Sequence, residues 1–251
     1  MNTLEKCVRI LTLLSEATTG MNISEISARL NIPLSTVYRY TSELKRHRLL
    51  EQDKNSGTYR LGTKLLELAS GVAKSGLRDT ALPLMEQLSR KTGESVILSG
   101  LSGHKGICLE KVEGHHALRV SWERGAIFPL HAGSSGKVLM AYLSEDEQDE
   151  IIEQVDLTKF SETTITDRSR LKRELRKIKT QGYGESDGEV ISGTYGIGAP
   201  ILSLTGRIIA VLSVSAPTQR LQGDECQRMI QLVAKTARDI SESCGRTLCN
   251  K

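Results

Sequence analysis

The strongest constraint on this chain lies between residues 23 and 50, where two helix-forming runs meet across a tight turn. In the first run Ile23, Ile26 and Leu30 recur on one helical face. Asn31-Ile32-Pro33 then interrupts it. Asn tolerates the left-handed conformation that a sharp turn needs, and Pro suits a helix start. In the following LSTVYRYTSELKRHRLL, helical spacing buries Val37, Tyr40 or Thr41, and Leu44. Leu34, Ser35, Thr36, Tyr38, Arg39 and Ser42 remain on the opposite face. The arrangement is a helix-turn-helix, whose second helix presents its exposed side chains to the major groove of DNA.

The flanking sequence supports this. TLEKCVRILTLLSEA places Leu4, Val8, Leu11 and Leu14 at helical spacing, and predicts a preceding helix that Gly20 and Asn22 end. After the second run, residues 49–53 and 58–61 read as strands joined by a turn at 54–57. A hairpin directly after a recognition helix is a wing. Ser35, Thr36, Tyr38, Arg39 and Ser42 are the candidate DNA-binding residues of the helix, with Arg39 reaching either a guanine or a phosphate. Lys54 and Arg60 are the wing's candidates for phosphate contact, which positions a protein without reading sequence. The alternative is an unrelated small helical bundle with a hairpin.

Charge separates the two parts of the chain. Residues 1–76 hold eleven Lys and Arg against seven Asp and Glu, whereas residues 77–251 hold twenty-three of each. The formal excess of four therefore sits in the first third, which suits a polyanionic partner for that part. No apolar run approaches a membrane span, and the start MNTLEKCVRI lacks the apolar region of a signal peptide. This predicts a cytoplasmic chain with no membrane partner. Its five cysteines are scattered and form no C-x-x-C pair, as expected of reduced thiols.

The organisation expected is a winged helix-turn-helix over 1–61, a linker helix over 62–77, and a larger domain over 78–251. In the linker, Leu65, Leu66, Leu68 and Val72 form an apolar stripe suited to a dimer partner, and Gly76 is a hinge or helix stop. The larger part alternates helices (78–92, from about 133, from Ser144, about 167–181, about 223–243) with strands (95–101, 107–112, 117–122, 195–202, 207–215). This predicts helices flanking one mixed, mostly antiparallel sheet.

No catalytic motif is present: no G-x-S-x-G, P-loop, H-E-x-x-H or dinucleotide fingerprint. No catalytic residue, cofactor or metal site is assigned. His115-His116 and His104 read as turn residues without further ligands. An enzyme carrying a DNA-binding appendage, or a DNA-bound scaffold without ligand, are the rival readings. Two features point instead to a pocket. One is the small-residue helix start from His131 through Ser134 and Ser135 to Lys137, whose free N–H groups suit an anion such as a carboxylate. The other is Ser213 and Ser215, two apart on one strand and so on one side of the sheet. Inward-facing serines need partners, which backbone, water or a polar ligand can supply.

LEKCVRILTLL, ISEISARLNIPLSTVYRYTSEL, YRLG, FPLHAGSSGKVLMA, GYGESDGE and GIGAPILSLTGRIIAVLSVSAP, in this order and spacing, resemble the IclR family of bacterial transcriptional regulators over nearly the full length. The resemblance implies an α+β chain: a winged helix-turn-helix, a linker helix and a GAF-like α/β effector domain. It implies a homodimer or homotetramer that binds double-stranded operator DNA of catabolic genes and answers to a small organic or aromatic acid. It also implies an effector site involving Ser134, Ser135, Ser186, Ser213 and Ser215. Where many members carry Arg-Cys, this chain has Tyr195, which offers a phenol, and Gly196, which offers room. The acidic residue often found at the place of Ser186 is missing. Val120 and Trp122, from the strand-like run 117–122, complete the candidate effector set.

Overall fold

The computed structural model describes residues 2–53, 55–73, 76–116 and 122–249, without the side chains of 69–73 and 245–249. The chain divides into two compact units, Met1–Ser75 and Gly76–Lys251.

The first unit carries α1 (Thr3–Glu16), α2 (Ile23–Leu30), α3 (Leu34–Arg46), the hairpin β1 (Leu50–Gln52) and β2 (Tyr59–Leu61), and α4 (Lys64–Ala73). Local chemistry sets the boundaries. Asn2 caps α1. Asn22 and Glu25 form a reciprocal capping box on α2, satisfying two donors that a bare helix end would leave open. Asn31 adopts the left-handed conformation at φ 52° and returns its N–H to Ser27. Ser27 Oγ donates to the Ile32 carbonyl at 2.6 Å, which fixes the turn into α3. The core gathers Ile10, Leu14, Ile26, Val37, Tyr40, Leu44, Leu50 and Tyr59. Both Tyr40 and Thr41 are buried. The spacing in α1 misplaces two residues: Leu4 and Val8 stand 72% and 51% exposed, because Ile10 and Leu14 carry the core face. On α4, Leu66 and Leu68 are also exposed.

The second unit opens with α5 (Gly76–Thr92), so Gly76 starts a helix rather than ending one. There follow β3 (Ser95–Ser102), β4 (Lys105–Val112), β5 (Ile127–Phe128), α6 (Ser134–Ala141), α7 (Glu145–Gln154), α8 (Arg168–Gln181), β6 (Gly184–Asp187), β7 (Thr194–Leu202), β8 (Ile208–Pro217) and α9 (Gly223–Cys249). The expected strand at 117–122 falls mostly outside the described residues; Trp122 itself is in coil. The sheet order is β5-β4-β3-β8-β7-β6, and every described pairing is antiparallel.

Strand alternation divides two cores. Leu212, Val214 and Ala216 of β8 and Ile197, Ala199 and Ile201 of β7 pack with α5 and α9. Val211 of β8 joins Val138, Leu139, Leu171, Leu175 and Ile178 of α6 and α8 on the other face. That second face, where α6 crosses the middle of the sheet, holds the site described next.

Candidate functional site

On α3, Leu34, Ser35, Tyr38, Arg39 and Ser42 are exposed and Thr36 is half-buried. The face expected for DNA contact is therefore presented to solvent. Arg39 is held along it: Nη2 donates to the Tyr40 hydroxyl at 3.0 Å, and the guanidinium sits 4.9 Å from that ring's centroid. The Thr3 and Arg39 hydrogen bonds hold the Tyr40 phenol below its ordinary range. Arg60 is exposed on the wing, and Lys54 lies outside the described residues. Tyr38, Ser42, Lys45, Arg46 and Gln52 line one groove. Lys45 Nζ donates to Gln52 Oε1 at 2.9 Å, and Gln52 Nε2 donates to the Gly57 carbonyl, so α3 and the wing are joined by side chains. Lys45 and Gln52 were not singled out in the sequence. Their signal was that Lys45 follows Tyr38 by seven residues and Ser42 by three, on one helical face.

In the second unit a cleft with about 530 Å³ of empty space, part of it open to solvent, lies between the sheet and the start of α6. Gly133 precedes α6 at φ 81°, where L side chains are strained, and no side chain caps the helix there. The helix end approaches β7 so closely that a Cβ at Gly196 would lie 2.8 Å from Ser134 Oγ. Ser134, Ser135, Ser186, Gly196 and Ser215 all line the cleft, with Trp122 and Thr194. Trp122, the chain's one tryptophan, stacks on Phe128 with centroids 5.8 Å apart. Ser134 and Ser186 are 5% and 7% exposed, and their hydroxyls, which reach the cleft, have no hydrogen-bond partner among the described residues. Among the described residues the lining contains no ionisable carboxyl, amine, guanidinium or imidazole.

Two expected site residues stand elsewhere. Tyr195 faces away, because it alternates with Thr194 and Gly196, which face the cleft. It packs in the α5–α9 core and its hydroxyl donates to Glu185 Oε1 at 2.6 Å. Burial, then Glu185, push its phenol above the ordinary range, so it offers the cleft nothing. Ser213 shares the side of Ser215 but lies behind the lining: Ser135 Oγ donates to its Oγ at 2.8 Å. A neighbouring serine, rather than a ligand, satisfies it. Val120 lies outside the described residues.

Sequence reading missed the charged group behind the cleft. Lys137, followed on α6 by the apolar run Val138–Ala141, is 1% exposed. Its Nζ bonds Glu189 Oε1 and lies 3.5 Å from Glu174 Oε1 on α8. Glu189 Oε2 accepts the Gly133 N–H at 3.0 Å. A lysine inside so apolar a helix needs a buried acid, and that requirement was the available signal. The histidines form no comparable group. His131 Nε2 meets the Thr158 carbonyl and its ring stacks on Phe160, while His104 and His116 each lie near one glutamate. No cluster of three His, Cys, Asp or Glu suited to a metal occurs among the described residues.

Comparison with known proteins bears on both units. Residues 3–54 match the IclR helix-turn-helix domain. Residues 69–242 match the C-terminal region of the bacterial transcriptional regulator IclR. The chain belongs to the IclR family. This IclR-family chain is 31% identical over 246 residues to the HTH-type transcriptional regulator XynR of Escherichia coli K12, covering 98% of each. It is 30% identical over 243 residues to the HTH-type transcriptional repressor AllR of the same strain, covering 96% of this chain and 90% of AllR. The IclR crystal structure from Thermotoga maritima superposes with a TM-score of 0.74 at 30% identity, covering 98% of this chain and 99% of that one. An IclR homologue from Microbacterium hydrocarbonoxydans, complexed with 4-hydroxybenzoate, superposes at 0.85 with 29% identity, covering 98% and 100%. The IclR-family chain is thus a DNA-binding transcriptional regulator whose larger unit is an effector domain for a small molecule. No helix among the described residues is long and apolar enough to cross a membrane.

Proposed function

We propose that this regulator binds operator duplex through the exposed face of α3 and the wing, and binds a small organic or aromatic acid in the cleft beside α6. The DNA-contact set is Ser35, Thr36, Tyr38, Arg39, Ser42 and Arg60, with Lys45 and Lys54 as phosphate contacts. Pro33 gives α3 no side-chain cap, and with Thr36 N–H bonded to the Pro33 carbonyl, the N–H groups of Leu34 and Ser35 are the ones left to a phosphate. The effector set is Trp122, Ser134, Ser135, Ser186, Gly196 and Ser215.

One observation carries the effector reading: the hydroxyls of Ser134 and Ser186, on residues 5% and 7% exposed, meet no protein partner and open into one cleft at a helix start without a side-chain cap. Hydroxyls that face a cleft without a protein partner are satisfied by water or by a bound polar molecule, which can replace that water. The helix-start amides suit one carboxylate, and the hydroxyls suit a ring hydroxyl or a polyol chain. The 4-hydroxybenzoate bound by the Microbacterium homologue is chemistry of this kind. Control of catabolic genes follows, since such acids are carbon sources.

Exposed Leu4, Val8, Leu66 and Leu68 favour a second copy covering the first unit, as a homodimer or within a tetramer. Paired recognition helices would then meet paired half-sites. A regulator of chromosomal operators works in the cytoplasm. Fluorescence of Trp122, titrated with hydroxylated and aromatic acids, tests the effector reading. A saturable change is expected for at least one acid, lost in Gly196→Leu. Saturable change that persists unaltered in Gly196→Leu would reject the cleft as its source.

A further inference from the structure

Glu189 sits in the connection between β6 and β7, and its 8%-exposed side chain ties that connection to α6. One carboxylate oxygen takes the Gly133 amide and the other takes Lys137 Nζ. Its carbonyl accepts from Thr164 Oγ1 at 2.6 Å, so the residue is held at both ends. The next two residues, Val190 and Ile191, line the cleft. Glu189 therefore stands immediately behind the place where an acid would dock.

The charge balance there is informative. Lys137 faces two carboxylates, the buried Glu189 and the quarter-exposed Glu174, which leaves the cluster a formal excess of one negative charge. Among the described residues the lining has no cation to receive an anion. The amide that precedes α6 is already taken by Glu189, so an incoming acid has only the first amides of the helix proper. One carboxylate can be held by those donors and the unpartnered hydroxyls. A second would enter the cleft beside a like charge, and the repulsion opposes it.

We propose that Glu189 makes the cleft a single-anion site, and is the residue that discriminates monocarboxylates from dicarboxylates of the same carbon frame. This rests on the acid-binding reading of the cleft. Glu189 acts through Lys137 and Gly133 rather than by touching the ligand, so it is a positioning and selectivity residue.

The test compares two matched pairs on the full-length protein: benzoate with terephthalate, and gluconate with glucarate. Binding is read by Trp122 fluorescence and by calorimetry. For a frame that binds, the wild type is expected to prefer the monocarboxylate at least tenfold. In Glu189→Gln that preference should shrink by about tenfold, whatever the variant does to both affinities together. Glu189→Asp, which keeps the charge, should retain it. Glu174→Gln removes one negative charge from the same cluster and leaves the Gly133 contact intact. It should relax the preference by a smaller factor, and it serves if Glu189→Gln does not fold. Equal wild-type affinity for the two members of a pair, or an unchanged preference in both Gln variants, would overturn the proposal and leave the acid site standing. Absence of binding by all four acids would remove the acid-site reading beneath it.

Discussion

The two units display similar hydroxyl groups in opposite settings. Ser35, Thr36 and Ser42 on α3 reach solvent, whereas Ser134 and Ser186 beside α6 are buried and unpartnered. In water an idle hydroxyl costs nothing, so its role shows only in the pattern of the face that carries it. In the wall of a cleft an idle hydroxyl has only the contents of the cleft for a partner, so its presence points to a polar occupant. The same residue type is thus read by its position in one unit and by its surroundings in the other.

The largest expected effect concerns the buried charge. Lys137→Met leaves Glu189 and Glu174 without their cation and should lower the stability of the effector unit by about 3–5 kcal/mol in denaturant unfolding. A loss below about 1 kcal/mol would mean that water replaces the ammonium, and that this interior resembles the surface of α3 more than its burial suggests.

On the exposed side, Tyr38→Ala and Arg39→Ala should each weaken operator binding by about 1–3 kcal/mol if they read bases. Both should change unfolding free energy much less. Arg39→Ala losing stability without losing DNA affinity would assign its contact with Tyr40 a purely structural role.

Ser186→Ala and Ser42→Ala form the sharpest pair. Removing the Ser186 hydroxyl, which has no protein partner, should leave the protein about equally stable and weaken ligand binding by about 1 kcal/mol. Ser42→Ala should keep stability within about 0.5 kcal/mol and leave ligand affinity alone. Clear destabilisation by Ser186→Ala would show that the hydroxyl is bonded after all.

The smallest effect is a pH dependence. Burial pushes the Glu94 carboxyl up, and Arg220 and His116 pull it back only in part. A carboxyl whose value is raised on folding contributes stability that is full below its unfolded value near 4.5 and is lost as pH climbs through the raised value. Glu94→Gln should therefore match the wild type near pH 4 and exceed it at pH 7. Equal pH profiles from thermal unfolding would contradict that sign.

Much of the first unit was legible in the sequence because its signals are local. Helical periodicity, the left-handed Asn31 and the Asn22–Glu25 box all act within a few residues of one another. Leu4 and Val8 misled because spacing identifies an apolar face but not what covers it. In the effector unit, β5 and β6 escaped notice, being two and four residues long, the latter composed of Gly, Glu, Ser and Asp. The parity that places Ser213 and Ser215 together also turns Tyr195 away from Gly196, a consequence readable from the strand but obscured by matching columns to a family pattern. The Lys137–Glu189 pair spans fifty-two positions, and only the apolar context of Lys137 hinted at it.

The most direct trial of ligand-coupled DNA binding is one anisotropy titration. Full-length protein would be titrated onto a duplex selected by it from a random pool, with and without an acid that saturates the Trp122 signal. The acid should change the duplex Kd by about 5- to 150-fold, and Gly196→Leu should abolish the change while still binding the duplex. A duplex Kd that stays the same when the Trp122 signal is saturated would contradict the account, because the cleft would then be filled without consequence for DNA.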